Sequence, residues 1–498
     1  MELIFFHYHL RPGGVGSVIR YAVEALSAGP ERISRIRIIT GSSAGNAQFM
    51  DGIDAEITVV PEIGYGEPAV SSRDLSSLLL ERFASRDAVW WIHNYHLGKN
   101  PVFTQALLEI AQSPDAPGMV LQPHDFPEAG RFDNLAALER HCTLPLYPVG
   151  PRVRYVVINS RDFGILGTSG IPESDLFLLE NPVSKPDGAM AGPRDRLAAR
   201  KLLFPDIGPE AVILLYPVRA IRRKNVLEAG LMALLSGPRA RLLVTLPGVS
   251  SQEAGYSGMV RDAFESGIIP GWFGLGADPP GIPLHAMAAA SNLVVSSSVQ
   301  EGFGYAYFQA LQWGLPLLAR RLDTLEGMSG LFSGYPAVFY SGVFCAPQKR
   351  ERKRLGALYG AKLRRLASVF PRDVIGNIER DLAGILGNDF VDFSFLDPPT
   401  QMGILKAASE SGRALSSLRE INHELVRNIE TLCSSYPRPA VERMEERFGP
   451  EVFAAGLKRI VKSFERDASS PSTAAPQAIE SRVRRAFSTA AYMRLLYD

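Results

Sequence analysis

Cysteine is scarce: Cys142, Cys345 and Cys433 are the three in 498 residues, and they lie far apart with no CxxC pair. Such spacing supplies neither a disulfide framework nor a zinc site, and a reducing, cytoplasmic setting is the expected one. Charge of one sign is lacking too. Lys and Arg number 53 against 52 Asp and Glu, a formal net charge of +1, so there is no electrostatic footprint for nucleic acid and none is expected as a partner. No stretch reaches the roughly 20 apolar residues of a membrane span, and no basic leader precedes the apolar run at Leu3–Phe6. An integral membrane span is therefore not expected. The GxxxxGKS/T spacing of an NTPase phosphate loop and the GxGxxG of a standard Rossmann dehydrogenase are both missing, and no His spacing matches HExxH or a comparable metal site, so no metal is expected. No short internal repeat is visible, which excludes solenoids and propellers.

Apolar residues make up 46% of the chain, enough for a globular body. At this length one core is too few, and two domains are the working number. Short apolar, β-rich runs recur between helix-like segments at 3–6, 36–40, 57–60, 88–92, 119–121, 155–158 and 176–179, and again at 212–216, 242–246, 293–295 and 317–319. That alternation predicts two α/β units in tandem, each with a mostly parallel, buried sheet. The first is expected over 1–185 and the second over 205–385, joined by a linker at 182–196 rich in Pro, Gly, Ser and Asp. Beyond about 400 the pattern is helical. Leu415, Leu418, Ile421, Leu425, Ile429 and Leu432 fall on one face of an amphipathic helix. A core-packing face is the plainer reading of that stripe, with a homodimer interface as the alternative. A helical extension over 386–498 is thus predicted, with a flexible spacer near 468–478 followed by a basic segment.

Two segments carry the chemistry. In Val294-Val295-Ser296-Ser297-Ser298-Val299-Gln300-Glu301-Gly302-Phe303-Gly304 a buried strand runs into a polar loop, a carboxylate and two glycines before a helix beginning near Tyr305. Glycines allow close backbone approach to a ligand, and amides at a helix N-terminus favour an anion such as a diphosphate. In Tyr216-Pro217-Val218-Arg219-Ala220-Ile221-Arg222-Arg223-Lys224-Asn225 four cations follow the first strand of the second unit. Arg grips phosphate oxygens bidentately and Lys adds a compact charge, so Arg219 and Lys224 in one loop suit a leaving diphosphate. A plain strand-to-helix turn and a basic solvated turn are the bland alternatives.

Together these segments resemble the family 4 retaining glycosyltransferases of the GT-B fold, over about residues 1–385. The resemblance implies an α/β architecture of two Rossmann-like domains facing a cleft, the first for the acceptor and the second for the nucleotide sugar. In that family an Arg and a Lys five positions apart hold the donor diphosphate, as Arg219 and Lys224 would. Glu301, opening the family's Glu-x7-Glu motif, would bind hydroxyls of the transferred sugar, and Gly302, Phe303 and Gly304 would offer backbone amides. The second Glu is replaced here by Gln309, which keeps one acceptor for the ribose but loses the charge-assisted bond. Gly14, Val15 and Gly16, in a glycine-rich loop before a helix expected to begin at Ser17, resemble the family's first loop.

The segment Gln122-Pro123-His124-Asp125-Phe126 resembles its His-Asp segment, with His124 as the contact near the reacting carbon. Leu179-Glu180-Asn181-Pro182-Val183 resembles its Asn-Pro-Val junction between domains. Retention of configuration follows from the resemblance, and no cofactor is required; the donor substrate is a UDP-, GDP- or ADP-sugar. Arg11, His93, Lys99 and His124 could face a carboxylate or phosphate, which points to a small anionic acceptor such as glycerate, phosphoglycerate or a glycoside of these. A catalytically silent sugar-nucleotide binder, a phosphorylase and an epimerase are the alternatives.

Overall fold

The computed structural model describes residues 1–27, 33–53, 55–85, 87–183, 193–277, 279, 281–465 and 474–497. The chain folds as two units, each drawing on separate stretches of sequence. Unit 1 comprises Met1–Ser184, Leu366–Ile375 and Glu445–Tyr492; unit 2 comprises Lys185–Arg365, Gly376–Met444 and Met493–Asp498.

Unit 1 is built on a parallel seven-stranded sheet. Its strands are β1 (Glu2–His7), β2 (Arg35–Thr40), β3 (Glu56–Val59), β4 (Ala88–His93), β5 (Gly118–Gln122), β6 (Val153–Val157) and β7 (Leu176–Leu178), in the order β3-β2-β1-β4-β5-β6-β7. β4, β5 and β6 are buried at every position, as strands covered by helices on both faces must be. Phe5 sits beside Ile38 on one side and Trp91 on the other, which fixes the register at the centre of the sheet. Helix Gly14–Ser27 buries Val18, Ile19, Ala22, Val23 and Leu26 on one stripe. The same core takes in Phe453, Leu457, Ile460 and Val461 of helix Pro450–Lys462. Each fully buried aliphatic side chain of this kind contributes roughly 1.5–3 kcal/mol, so the late helix is part of the first unit's core.

Unit 2 has a parallel six-stranded sheet made of β8 (Val212–Ala220), β9 (Ala240–Pro247), β10 (Gly271–Phe273), β11 (Leu293–Ser296), β12 (Leu317–Arg320) and β13 (Ala337–Tyr340), in the order β10-β9-β8-β11-β12-β13. A small antiparallel pair, β14 (Phe344–Cys345) with β15 (Val391–Asp392), lies apart from it. β10, β13 and the β14–β15 pair are absent from the sequence expectation.

Each parallel sheet reverses its winding once, between β1 and β4 in unit 1 and between β8 and β11 in unit 2. Ligands of doubly wound sheets bind at the carboxyl ends of the strands flanking that reversal. Arg11, His93, Lys99, His124, Arg219, Lys224 and Glu301 all lie at or just beyond the ends of these four strands or of β5, the neighbour of β4, whereas the Glu180-Asn181-Pro182 segment follows β7.

Several boundaries differ from expectation. β8 continues through Pro217 to Ala220, so Arg219 stands on a strand and not in a loop. The register slips between Tyr216 and Arg219, and such a bulge accommodates a proline that has no N–H to give the ladder. The first helix begins at Gly14, three residues before Ser17. The single amphipathic helix predicted over 415–432 is two, Gly412–Ile421 and His423–Cys433. Asn422 breaks it by pairing with Phe344, donating to its carbonyl and accepting from its amide, both at 2.8 Å. Leu418, Leu425, Ile429 and Leu432 are buried within unit 2. Of the expected linker, 184–192 lies outside the described residues and Pro193–Leu203 is helix. Of the expected spacer, 468–473 lies outside them, and 476–478 opens helix Pro476–Phe487. Among the described residues no helix is long and apolar enough to cross a membrane.

Candidate functional site

In unit 2, β8 leads into a 3₁₀ turn, Arg222–Lys224, and then through Asn225, held at φ 48°, into helix Val226–Leu235. Asn tolerates that left-handed conformation because its short amide bonds locally; here Asn225 Nδ2 donates to Glu228 at 2.8 Å. The end of β11 is stitched to this turn. Val299 N–H donates to the Arg223 carbonyl at 2.9 Å, and Ser297 Oγ donates to the carbonyls of Asn225 at 2.9 Å and Lys224 at 3.2 Å. Tyr216 Oη donates to the Lys224 carbonyl at 2.7 Å and meets Ser298 Oγ at 2.8 Å. The serine run is thus the fastening between the two motifs.

These ties bring Lys224 and Glu301 together. Lys224 Nζ donates to Glu301 Oε1, and Arg223 Nη1 lies 3.5 Å from Oε2. Burial alone would raise the Glu301 carboxyl, but the Lys224 and Arg223 cations outweigh it and hold it below its ordinary value, so it is ionised at neutral pH. Arg219 is different: it is exposed, and its guanidinium has no protein partner among the described residues. Arg222 turns away to Glu253, which accepts from its backbone N–H at 2.8 Å.

Gly304, at φ 83°, caps helix Tyr305–Trp313, and a Cβ there would meet the Tyr307 ring at 2.6 Å. Only glycine fits. Phe303 is buried between the rings of Tyr305 and Phe308, Gly302 is half-buried, and Gln309 is half-buried on that helix. Deeper in unit 2, Arg320 at the end of β12 donates to both oxygens of Glu228, at 2.7 and 2.6 Å, and to Asp392 at 2.7 and 3.0 Å. Tyr340 Oη completes the cluster with a 2.7 Å bond to Glu228. This buried ion group anchors the helix that follows Lys224.

In unit 1 the ends of β1, β4 and β5 carry His7, His93 and His124 to one place. His93 Nδ1 and His124 Nε2 are 2.9 Å apart and their rings stack, while His93 also stacks on Phe5. His7 lies edge-on to His93 and to His9. Burial lowers His124 to about 4, with Asp125 opposing, and lowers His7 to about 3, assisted by repulsion from His9 and His124. His93 is pushed well down by burial and by the other two rings. All three are therefore neutral imidazoles near pH 7, and His7 Nδ1 and His93 Nε2 are buried with no hydrogen-bond partner among the described residues. Asn94, at φ 54°, sets the His124 loop by accepting from its N–H at 2.8 Å.

A cationic rim adjoins this cluster. Lys99 Nζ sits 5.7 Å from the centre of the Tyr65 ring, Tyr65 Oη is 3.2 Å from His9 Nε2, and Arg131 pairs with Asp125 at 2.8 Å. The charges of Arg131 and Arg11 both reach the Tyr65 phenol, working against the rise that burial causes. Arg11 is exposed, followed by Gly14, Val15 and Gly16 in the first helical turn; a Cβ on Gly16 would lie 3.4 Å from the Arg11 carbonyl. Sequence reasoning missed His7, His9, Tyr65 and Arg131 here, and Tyr216 and Arg223 in unit 2. His7 and His9 stand in the same run as Arg11 and were the legible ones; Tyr65 has no local signal. Among the described residues no group of three or more His, Cys, Asp or Glu is disposed to hold a metal ion.

Two doubly wound parallel sheets in tandem, each bearing polar side chains at its switch point, are the GT-B architecture of glycosyltransferases. Over 454 residues the chain is 31% identical to mannosylglucosyl-3-phosphoglycerate synthase of Petrotoga mobilis, covering 87% of this chain and 86% of that protein. The chain belongs to that family and is a glycosyltransferase. No family model matches it. Among solved structures it is similar to Anabaena HepE in complex with UDP and glucose, at 13% identity over 86% of this chain and 100% of that one, with a TM-score of 0.47. It is also similar to sucrose-phosphate synthase from Thermosynechococcus elongatus, at 14% identity over 86% and 99%, with a TM-score of 0.46.

Proposed function

We propose that the chain transfers a hexose from a nucleotide diphosphate sugar to a hydroxyl of a small anionic acceptor of the phosphoglycerate class, with retention of anomeric configuration. The observation that carries this reading is the relationship to a mannosylglucosyl-3-phosphoglycerate synthase, joined to the cationic rim of Arg11, Lys99 and Arg131 around Tyr65 in unit 1. A phosphate or carboxylate suits that rim, because Arg presents paired N–H donors and Lys a point charge.

In this reading unit 2 binds the donor. Arg219, open to solvent, and Lys224 take the diphosphate, and charge that develops on it as the sugar leaves is stabilised by donors already in place. Glu301, ionised and fixed by Lys224 and Arg223, accepts hydroxyls of the transferred sugar. Backbone amides of Gly302, Phe303 and Gly304, at the start of helix Tyr305–Trp313, face phosphate or sugar oxygens. Gln309 accepts a ribose hydroxyl. In unit 1, Gly14, Val15 and Gly16 allow the backbone to approach the donor, and His124 bonds the sugar near its reacting carbon.

His93 supports His124 from beneath, being buried between it and Phe5. The bond from C1 to the diphosphate breaks, the bond from C1 to the acceptor oxygen forms on the same face, and the acceptor proton passes to a donor phosphate oxygen. No protein nucleophile is needed. The three cysteines are free thiols, which suits a reducing cytoplasm.

The test is a screen of UDP-, GDP- and ADP-sugars against glycerate, phosphoglycerate and their glycosides, read by mass spectrometry for a new glycoside and by NMR for its anomeric configuration. A product with the donor's configuration is expected. Inversion, or nucleotide release without any glycoside, overturns the reading.

A further inference from the structure

The segment Met493–Tyr497 returns to unit 2 after the last helix of unit 1, and it is seated there by side chains that no part of the transfer chemistry uses. Met493, Arg494, Leu495 and Leu496 are all buried, at 0, 8, 4 and 0% exposure. Lys362 Nζ donates to the Arg494 carbonyl at 2.9 Å, and Arg494 Nε donates to Ser394 Oγ at 2.9 Å while its guanidinium lies over the Phe395 ring at 4.5 Å. From this seat the Tyr497 carbonyl accepts from Arg222 Nη1 at 2.9 Å.

Arg222 opens the 3₁₀ turn that ends on Lys224. The other end of that turn is held from the same seat, though from a distant part of the chain. Gln401, fully buried, donates to Asn225 Oδ1 at 3.2 Å and to the Phe393 carbonyl at 2.9 Å, and Phe393 begins the short turn that also carries Ser394 and Phe395. The cationic turn is thus gripped at Arg222 by Tyr497 and at Asn225 by Gln401, both parts of one seat.

We propose that Met493–Tyr497 is a strap that positions the donor-binding turn, with Arg222 and Arg494 as positioning residues that touch no substrate. A three-residue turn carrying three cations repels itself, and without external holds it would sample conformations that misplace Lys224. Positioning of this kind is felt mainly in binding, because a ligand that needs one conformation loses affinity in proportion to the fraction of time that conformation is absent. The proposal rests on the reading of unit 2 as the donor site.

The experiment measures affinity for UDP, GDP and ADP by calorimetry, with donor and acceptor KM, for the full chain, Arg494→Ala, Lys362→Met, a chain ending at Met493, and Arg222→Ala alone and combined with that shortening. Nucleoside diphosphate affinity and donor kcat/KM are expected to fall about tenfold in Arg494→Ala and more in the shortened chain, with acceptor KM unchanged. Arg222→Ala and the shortening should together cost less than the sum of the two, since both release the bond from Arg222 to the Tyr497 carbonyl, although Arg222→Ala also loses the 3.4 Å pair with Glu253. Affinity within twofold of the full chain in the shortened protein, or additive losses, overturns the strap. Should shortening prevent folding, Arg494→Ala and Lys362→Met decide by the same criterion. A full chain that binds none of the three nucleotides removes the donor-site reading itself, an outcome distinct from equal binding by all variants.

Discussion

Replacing Glu301 by Gln removes a charge and almost no volume at the point where the two donor motifs meet. The side chains of Glu301 and Lys224 are 6% and 13% exposed, and Arg223 approaches the same carboxylate at 27% exposure. A hydrogen bond to a charged group contributes about 1.5–3 kcal/mol, and breaking a fully buried pair costs about 3–5 kcal/mol. Because Lys224 keeps some solvent, a loss of about 2–3 kcal/mol in stability is expected, in the upper part of the first range and below the second. The substitution also leaves two adjacent cations without their carboxylate, and an added diphosphate can supply the missing negative charge.

Saturating nucleoside diphosphate should therefore raise the melting temperature of Glu301→Gln more than that of the parent. Turnover should fall about 10²-fold if Glu301 binds the transferred sugar as proposed, because that contact is then lost where it counts most. Thermal melts with and without nucleotide, beside initial rates of nucleotide release, measure both. Transfer within about threefold of the parent, or a smaller thermal shift on nucleotide, would refute the pairing of Lys224 and Glu301 as the core of the donor site.

At the other end of the same motif, Gln309→Glu should tighten nucleotide binding about fivefold, the worth of one charge-assisted bond over a neutral one, or shift nucleoside preference; an unchanged titration would place Gln309 away from the ribose. Stability should fall as pH drops below 6.5. His7, His96 and His124 are lowered to about 3, 3 and 4 by burial, and His93 is lowered too, so the unfolded chain takes up protons that the folded chain refuses. Glu128 and Glu228, both buried and raised to about 7, work in the opposite sense between pH 7 and their unfolded value of 4.5. Four imidazoles against two carboxyls leave a net uptake of roughly two protons, or about 2–3 kcal/mol per pH unit near pH 5.5. Urea denaturation at pH 7, 6 and 5 reads this directly, and stability that is flat over that range contradicts neutral, buried histidines.

Most of the sheet scaffold was legible because its strands are apolar, β-branched or aromatic runs bounded by turns, and eleven of them can be counted along the chain at the spacing of βα units. The three-residue β10 follows Ile269-Pro270 and has no period of its own. β14 and β15 are two residues each and are defined only by their pairing. Pro217 made β8 look finished at Tyr216, since a proline within a strand signals its end unless a bulge takes it up. In the candidate site, Arg219, Lys224, Glu301 and His124 were visible as short motifs. Tyr65 and Arg131 were not, for Tyr65 meets His9 by a ring contact and Arg131 meets Asp125, beside His124, by an ion pair, and no spacing encodes either. The strap is the extreme case: a handful of residues whose role lies wholly in a carbonyl and a buried arginine far along the chain from the turn they hold.

The most direct measurement is sugar transfer by Arg219→Ala/Lys224→Ala at saturating donor, against the parent, with folding checked by circular dichroism. The parent is expected to release nucleoside diphosphate and form one new glycoside on a phosphoglycerate-class acceptor, while the folded double variant forms none. Glycoside formation by the double variant at the parent's rate would contradict the assignment of the donor diphosphate to these two cations.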